Sequence, residues 1–307
     1  MNSDNGTERN INVSVCVVTY NHKMYLRECL DSLVSQEVDF DYEIIVGDDA
    51  STDGTTDIVR EYAERYPELI IPIYHKKNVG PIGNYFSVHK QARGKYVCHM
   101  DGDDMALPKK LQIQSDYLDD HNQVSICWHR MNMFDAKGIE QDHPAKEAEF
   151  LGSYITRKDL LLYGPFGPHS STIYRKENFS TKYENFEAID WIFSVELIGT
   201  GYGVMLEDVL GRYRLHSAGM SVGALASKKN REWLCNCQLK LLGEYPQYSS
   251  TIALRALVLC SLDFLGRRDF YKSSLAVFLR CKSFPDVRLL PKLIGFYKSS
   301  KLPKIFI

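Results

Sequence analysis

Residues 96–104, Tyr-Val-Cys-His-Met-Asp-Gly-Asp-Asp, end an apolar run in three carboxylates, Asp101, Asp103 and Asp104, grouped around Gly102. Carboxylates this close repel one another unless a cation or a donor-rich ligand sits among them. Hard divalent cations such as Mg²⁺ and Mn²⁺ take oxygen ligands and are commonly held by one or two carboxylates together with substrate phosphates. Asp-x-Asp where a strand ends therefore suggests a metal-assisted site for a phosphorylated substrate. Surface turns rich in Asp and Gly share this composition, so the rest of the chain has to decide.

A second acidic cluster, Asp48-Asp49-Ala50-Ser51-Thr52-Asp53-Gly54, has the spacing of a calcium loop at its start. Counted from Asp49, the twelfth position is Arg60, where an EF-hand needs a bidentate Glu; counted from Asp101 it is Gln112. The calcium reading fails at both places. Capping of the next helix accounts for Ser51 or Asp53 but leaves the adjacent Asp48 and Asp49 unexplained. Further along, Asn78-Val79-Gly80 with Asn84 fits a turn into a helix. Asp190 opens a helical stretch, where a carboxylate complements the helix dipole. His216 ends the run Tyr213-Arg214-Leu215-His216, and a lone histidine there is ordinarily structural.

The elements that must carry these residues alternate. Val13–Thr19 is a β-branched run suited to a buried strand, and Met24–Ser35 repeats apolar residues at helical spacing. Tyr42–Val46 is a second strand, leading into the turn Gly47–Asp53; Thr55–Tyr66 is a helix ended by Pro67. Leu69–Tyr74 is a third strand, Asn84–Ala92 a helix closed by Gly94, and Tyr96–Met100 a fourth strand. Strand, helix and strand in succession imply a parallel sheet with ligands beyond the strands' C-terminal ends. Thr19-Tyr20-Asn21, Asp48-Asp49 and Asp101–Asp104 all fall there, so three strands deliver polar residues to one edge.

Between 105 and 220 the pattern predicts a helix over Lys109–Asp120, a strand over Val124–Arg130, a Gly/Pro/Ser/His loop over Gly164–Ser171, a helix over Ile189–Ile198 and a strand over Val209–Leu215. From about 221 the chain turns helical and apolar-basic. Between 266 and 307 it carries ten Lys and Arg against Asp269 and Asp286. An amphipathic basic helix of that kind can lie on an anionic membrane face; it can equally pack on the preceding domain.

With 307 residues the chain can hold one large α/β domain with a smaller appendage. A net charge of −2 gives no global pull toward nucleic acid. The eight cysteines lack the paired spacing of a zinc site, and several lie in apolar runs, as expected of reduced core thiols in the cytosol. The polar first ten residues and the short run Ile11–Val18 do not resemble a signal peptide. Thr251–Leu265 comes nearest to a membrane span but is interrupted by Arg255 and Asp263.

Taken in order, Val-Val-Thr-Tyr-Asn (17–21), Glu-Ile-Ile-Val-Gly-Asp-Asp-Ala-Ser-Thr-Asp-Gly-Thr (43–55), Asn-Val-Gly (78–80), Ala-Arg-Gly-Lys-Tyr-Val (92–97), Met-Asp-Gly-Asp-Asp (100–104) and Tyr-Arg-Leu-His (213–216) resemble the motifs of family 2 glycosyltransferases. The resemblance covers roughly residues 11–220. It implies a GT-A type fold, an α/β nucleotide-sugar-binding domain around a mainly parallel sheet. It divides the chain into a catalytic domain over 1–220 and a C-terminal helical extension over 221–307. The catalytic domain has a nucleotide-sugar half over about 11–104 and an acceptor half over about 105–220.

By position the resemblance puts Thr19, Tyr20, Asn21, Asp48, Asp49, Asn78, Gly80, Asp101 and Asp103 on the donor. It puts Mn²⁺ or Mg²⁺ on Asp103 and His216. It makes Asp190 the general base, with Glu187 as the other candidate because Ile189 stands where the family commonly has Glu. His169, Ser170 and Glu187 fall on the acceptor side. The reaction implied is an inverting, metal-dependent transfer of a hexosyl or N-acetylhexosaminyl group from a nucleotide-diphosphate sugar, with UDP the expected nucleotide, to a polysaccharide or lipid-linked glycan. The location implied is the cytoplasm, at the inner face of the membrane. One rival, a sugar nucleotidyltransferase, needs a Gly-rich basic loop after the first strand, where this chain has Tyr20-Asn-His-Lys-Met-Tyr25. The other rival is a non-catalytic module that binds a nucleotide sugar.

Overall fold

The computed structural model describes residues 9–135, 137–142, 150, 152–187, 190–216, 228–266, 268–269 and 271–299. The strands are β1 Val13–Thr19, β2 Tyr42–Asp48, β3 Ile70–Tyr74, β4 Tyr96–Asp101, β5 Met105–Ala106, β6 Val124–Phe134, β7 Glu140–Asp142, β8 Tyr154–Ile155, β9 Ile173–Arg175 and β10 Tyr202–Arg214. The helices are α1 Leu26–Val34, α2 Thr55–Arg65, α3 Gly80–Gln91, α4 Lys110–Asp120, α5 Arg157–Tyr163, α6 Asp190–Leu197, α7 Lys228–Glu244, α8 Ser249–Leu265, α9 Tyr271–Arg280 and α10 Leu290–Ser299.

One sheet runs β3-β2-β1-β4-β9-β6-β10-β5, with β7 on β6 and β8 on β10. The β1–β2, β1–β4, β2–β3 and β6–β10 pairs are parallel, while β9 lies antiparallel between β4 and β6. Two antiparallel steps restore the direction, so β1, β2, β4, β6 and β10 all end on the same edge. That edge carries residues 19–22, 48–53, 101–104 and 214–216.

The period of two along each strand splits the core into two layers. Val13, Val15, Val17, Tyr96, Cys98 and Met100 pack on one face with Leu26, Leu30 and Leu33 of α1 and with Ile58 and Val59 of α2. Each such leucine contributes about 1.5–3 kcal/mol when fully buried. Cys16, Ile45 and Val97 face the other layer, which holds α3, α6 and residues of all the C-terminal helices, among them Cys235, Leu241, Ile252, Val277 and Leu293. The described C-terminal helices therefore share the core of the sheet. Pro246–Leu265 is long and apolar enough to cross a membrane by length and composition, but half of that stretch is buried in this core. Arg255 and Asp263, the charges that interrupt its sequence, are buried too, and Asp263 accepts from Arg231 at 2.8 Å.

The eight cysteines are free thiols. Met24, expected on the buried stripe of the first helix, is 78% exposed because α1 begins only at Leu26. The last long strand starts at Tyr202 rather than Val209, and register shifts between Leu206 and Gly211 break the alternation by which it could have been read. Of the expected elements, Ile189, the basic residues Arg267, Lys301 and Lys304, and Phe270 lie outside the described residues.

Candidate active site

The last turn of β4 builds the acidic cluster. Because side chains alternate, Val97, His99 and Asp101 share one face of the strand, and His99 Nε2 lies 3.2 Å from Asp101 Oδ1. The other oxygen of Asp101 accepts from the Ser170 hydroxyl at 3.3 Å, and the Asp101 N–H donates back to Ser170 Oγ at 3.0 Å. Ser170, expected on the acceptor side, is instead fully buried beneath Asp101. Its carbonyl accepts from the buried ammonium of Lys110 at 2.6 Å, which sets a cation behind the carboxylates.

Asp103 points toward two imidazoles, with Oδ2 at 2.8 Å from His216 Nε2 and 3.9 Å from His22 Nε2. Burial would raise Asp103, but the His216 hydrogen bond and the two imidazoles outweigh it and hold the carboxyl below its usual range. Asp104 turns inward, and its Oδ1 accepts from the Arg214 N–H at 2.9 Å. Burial first, and then repulsion from Asp103 and Asp101, push Asp104 well above the usual range. Asp101 is also raised, chiefly by burial, with His169 opposing. Arg214 ties the segment down further, donating to the Asp103 carbonyl and to Glu28. The three aspartates thus divide into one held below its usual range between imidazoles, one supported from behind, and one structural.

Gly102 lets the turn approach β1. A Cβ there would stand 2.9 Å from Thr19 Cβ, 3.0 Å from Thr19 Oγ1 and 3.1 Å from His22 Nδ1. Thr19 Oγ1, His22 Nδ1 and His216 Nδ1 are buried and make no hydrogen bond among the described residues. Tyr20 stands exposed at the rim. Asn21 adopts the left-handed conformation (φ 54°) and joins the β1 and β2 turns, donating its N–H to Ser51 Oγ and accepting from Thr52 N–H, both at 2.9 Å.

Asp48 and Asp49 are buried at the end of β2 and meet protein donors. Asp48 accepts from the Ser51 N–H and the Thr56 hydroxyl. Asp49 accepts from the Val79 N–H at 2.6 Å and the Gly80 N–H at 2.9 Å, at the start of α3, where Asn78 Oδ1 also takes the Gly80 N–H. The pair and the Asn78–Gly80 turn therefore shape the β2 end of the sheet edge as a unit.

On the other side of Asp101 lies His169, whose ring stacks on His99 with centroids 3.6 Å apart. Burial and His99 push His169 down to about 4, against the opposing pull of Asp190 and Asp101. One ligand atom each from His99, Asp101 and His169 fall within 4.8 Å of one another. Asp190 begins α6 and accepts the Trp191 N–H at 3.0 Å on Oδ1. Trp191 is anchored by its Nε1–H to the Leu160 carbonyl at 2.8 Å, and the Arg255 guanidinium lies 4.3 Å over its ring. Glu187 points elsewhere, accepting from Trp233 Nε1 at 3.1 Å on an exposed surface. Sequence reasoning missed His22, His99 and Lys110. His99 had a readable signal, two residues before Asp101 on one strand; Lys110 reaches the site only through tertiary packing.

The description "Glycosyl transferase family 2" matches residues 14–181, more than half of the chain. The chain belongs to this family. An uncharacterized protein of Mycobacterium tuberculosis is 34% identical over 223 residues, 71% of this chain and 62% of that relative. The chain thus spans about three-fifths of the length of the curated relatives it matches first. Among solved structures, S. aureus TarS 1-349 in complex with UDP-GlcNAc matches 96% of this chain and 89% of its own, at TM-score 0.66 and 20% identity. The mannosyltransferase PcManGT from Pyrobaculum calidifontis, in complex with GDP-Man and Mn2+, matches 96% of this chain and 84% of its own, at TM-score 0.58 and 17% identity. At these identities the likeness is one of fold, and the fold is GT-A. The family match covers the acidic cluster but ends before Asp190 and His216, whose assignment rests on position and geometry.

Proposed function

We propose that this chain transfers a sugar, with inversion, from a nucleotide-diphosphate sugar to a hydroxyl of a polysaccharide or lipid-linked glycan. The observation that carries the reading is the placement of Asp103 with His216 and His22 on one side of the Gly102 turn, and of Asp101 with His169, which also feels the charge of Asp190, on the other. The first side suits a diphosphate and its counter-cation; the second suits a sugar and an incoming hydroxyl. UDP is the expected nucleotide, supported by the UDP-GlcNAc complex of TarS.

The residues present fit a divalent cation. Asp103 Oδ2 faces two imidazoles, at 2.8 Å from His216 and 3.9 Å from His22, and the Nδ1 atoms of both rings are buried with no hydrogen bond among the described residues. One carboxylate oxygen with imidazole nitrogen suits Mn²⁺ better than Mg²⁺, which prefers oxygen alone, and PcManGT is the neighbour solved with Mn2+. Asp103 and His216 would hold the ion in place of the hydrogen bond they make to each other, and when bound it would offset charge developing on the diphosphate.

Asp190 acts as general base through Oδ2, since Oδ1 holds the Trp191 N–H. It takes the acceptor hydroxyl proton as the acceptor oxygen bonds to the anomeric carbon. The bond from that carbon to the diphosphate oxygen breaks, and its electron pair leaves with the nucleotide diphosphate. His169, held neutral, lines the passage between Asp190 and Asp101 without competing for the proton. Asp48, Asp49, Asn78 and Gly80 form the nucleotide wall, with Thr19, Tyr20 and Asn21 beside them.

Exposed Leu265, Leu279 and Phe284 (95% exposed) stand among Lys272, Arg280, Lys282 and Arg288 on the C-terminal helices and their connections. That mixture supports peripheral contact with an anionic membrane, each nearby cation contributing about 1 kcal/mol. Sedimentation with phosphatidylserine vesicles, abolished by Phe284→Glu, is the expected result.

The deciding experiment follows nucleotide diphosphate release from a panel of nucleotide sugars with Mn²⁺. Asp190→Asn should keep donor affinity and lose about 10²–10⁴-fold in transfer; transfer at the parent rate removes Asp190 as the base. Asp103→Asn should lose the Mn²⁺-dependent part of donor binding. Pyrophosphate release from a nucleoside triphosphate would instead mark a nucleotidyltransferase, and donor binding without turnover would mark a binding module.

A further inference from the structure

Behind Asp101 runs a line of buried polar groups that the proposed transfer does not use. His99 Nε2 lies 3.2 Å from Asp101 Oδ1, His99 Nδ1 lies 3.0 Å from His89 Nε2, and His89 Nδ1 lies 2.7 Å from the Tyr174 hydroxyl. The four residues come from three elements: β4 gives Asp101 and His99, α3 gives His89 and β9 gives Tyr174. His89, His99 and Tyr174 are almost wholly removed from water. Placing two imidazoles and a phenol there is unfavourable unless every donor meets an acceptor.

Burial keeps both rings neutral, pushing His89 well below its ordinary value and His99 down to about 3, with Lys110 adding to the effect on His99. A neutral imidazole has one N–H and one lone pair. Two in series can therefore point only one way or the other. As the carboxylate that the proposed donor contact needs, Asp101 only accepts, so His99 presents Nε2–H to it across the 3.2 Å contact. Its Nδ1 then accepts from His89 Nε2–H, and His89 Nδ1 accepts from the Tyr174 O–H. Every donor points toward the active site.

The geometry points to Tyr174, His89 and His99 as a one-way hydrogen-bonded chain that positions the Asp101 carboxylate toward the donor sugar. They are positioning residues, and the inference rests on the reading that Asp101 faces the donor. The chain also decides how the His99, Asp101 and His169 cluster behaves. A cation there needs the lone pair of His99 Nε2, which the chain's direction replaces with N–H. The two states exclude each other.

The test begins with the unmodified protein, ¹⁵N-labelled at histidine, and reads the tautomers from long-range ¹H–¹⁵N correlations. His99 and His89 should both carry the proton on Nε2, unchanged between pH 6 and 8. Protons on Nδ1 of both rings overturn the proposal and favour a cation on the triad. In kinetics, His99→Leu should raise the donor KM about 10-fold, the scale of one hydrogen bond to a charged group, with a smaller change in kcat. His99→Gln, whose amide N–H can reach Asp101, should recover most of that loss. Equal loss in the two variants, or loss in kcat alone, overturns the positioning role. If Asp101→Asn leaves the donor KM unchanged, the donor reading of Asp101 fails while the tautomer result still stands on its own.

Discussion

Asn84 is the clearest single lever on the cleft. Its buried side chain reaches from α3 to two strand ends, donating from Nδ2 to the Gly47 carbonyl at 2.7 Å and, more weakly, to the Thr19 carbonyl at 3.5 Å. Its Oδ1 meets His75 Nε2 at 3.2 Å. Gly47 makes the approach possible, because a Cβ there would stand 2.2 Å from Asn84 Oδ1 and 2.6 Å from Val88 Cγ1. Asn84→Leu keeps the approximate volume but removes the donor. Loss of the bonds to the Gly47 carbonyl and to His75, each worth about 1 kcal/mol net, gives a destabilisation of about 2 kcal/mol.

Asn84→Asp should behave differently with pH. The carboxyl would face the Gly47 carbonyl in a buried place, so its folded pKa rises above the unfolded value of about 4. Protonated, it can donate to that carbonyl. The variant should therefore be most stable below the unfolded pKa and lose about 1.4 kcal/mol per pH unit from there up to its folded pKa. Urea denaturation at pH 5 and pH 8 reads both effects, and titration with nucleotide diphosphate reads the displacement of the Thr19 and Asp48 ends. Parent-like stability and nucleotide affinity in Asn84→Leu, or a pH-independent Asn84→Asp, would refute the reasoning.

Two further outcomes are expected. Arg255→Met removes the cation over the Trp191 ring, with a loss of about 1–2 kcal/mol and a lower kcat at unchanged donor KM, because α6 carries Asp190; an unchanged denaturation midpoint and kcat would count against it. Buried Glu43 would be raised by burial, but the Arg93 side chain, the Ser14 hydroxyl and the Arg93 N–H outweigh it and hold Glu43 below its usual range. Its contribution to stability is thus present in full above its unfolded pKa and lost as pH falls through the folded one. The parent should exceed Glu43→Gln in stability at pH 7, with the two urea midpoints converging as the pH falls through the folded pKa of Glu43.

How much of this was legible depended on where each partner lies along the chain. β1, β2, β3 and β4 could be read because each is an apolar run with its polar residues gathered at one end, and a parallel sheet lines up those ends. β9 could not: it is three residues long, and it exists because Ile173 pairs with Cys98 on one side and Cys127 on the other. The C-terminal helices read as an appendage because the chain turns helical and apolar-basic from about 221, and Arg255 and Asp263 read there as charges that interrupt an apolar run. In the fold those charges are spent inside, on Trp191 and on Arg231, and nothing local announces such partners.

The acidic cluster shows the same division within five residues. Three aspartates around a glycine can be counted in the sequence, yet their environments are set by what arrives from elsewhere. The strand's alternation alone puts Asp101 on the face of His99, and that much is local. Asp103 meets His216 across more than a hundred residues, and Asp104 meets the Arg214 N–H, because β10 ends on the same edge as β4. The parallel direction of β10 follows from β9 being antiparallel to both β4 and β6. Reversing β9 alone would change both of its pairings together and leave β6 and β10 running with β4, so the outcome depends on the two pairings being of the same kind. The separation of the three carboxylates into distinct electrostatic states is therefore a consequence of sheet topology, in which β10 runs with β4 and brings Arg214 and His216 to the edge where the aspartates lie.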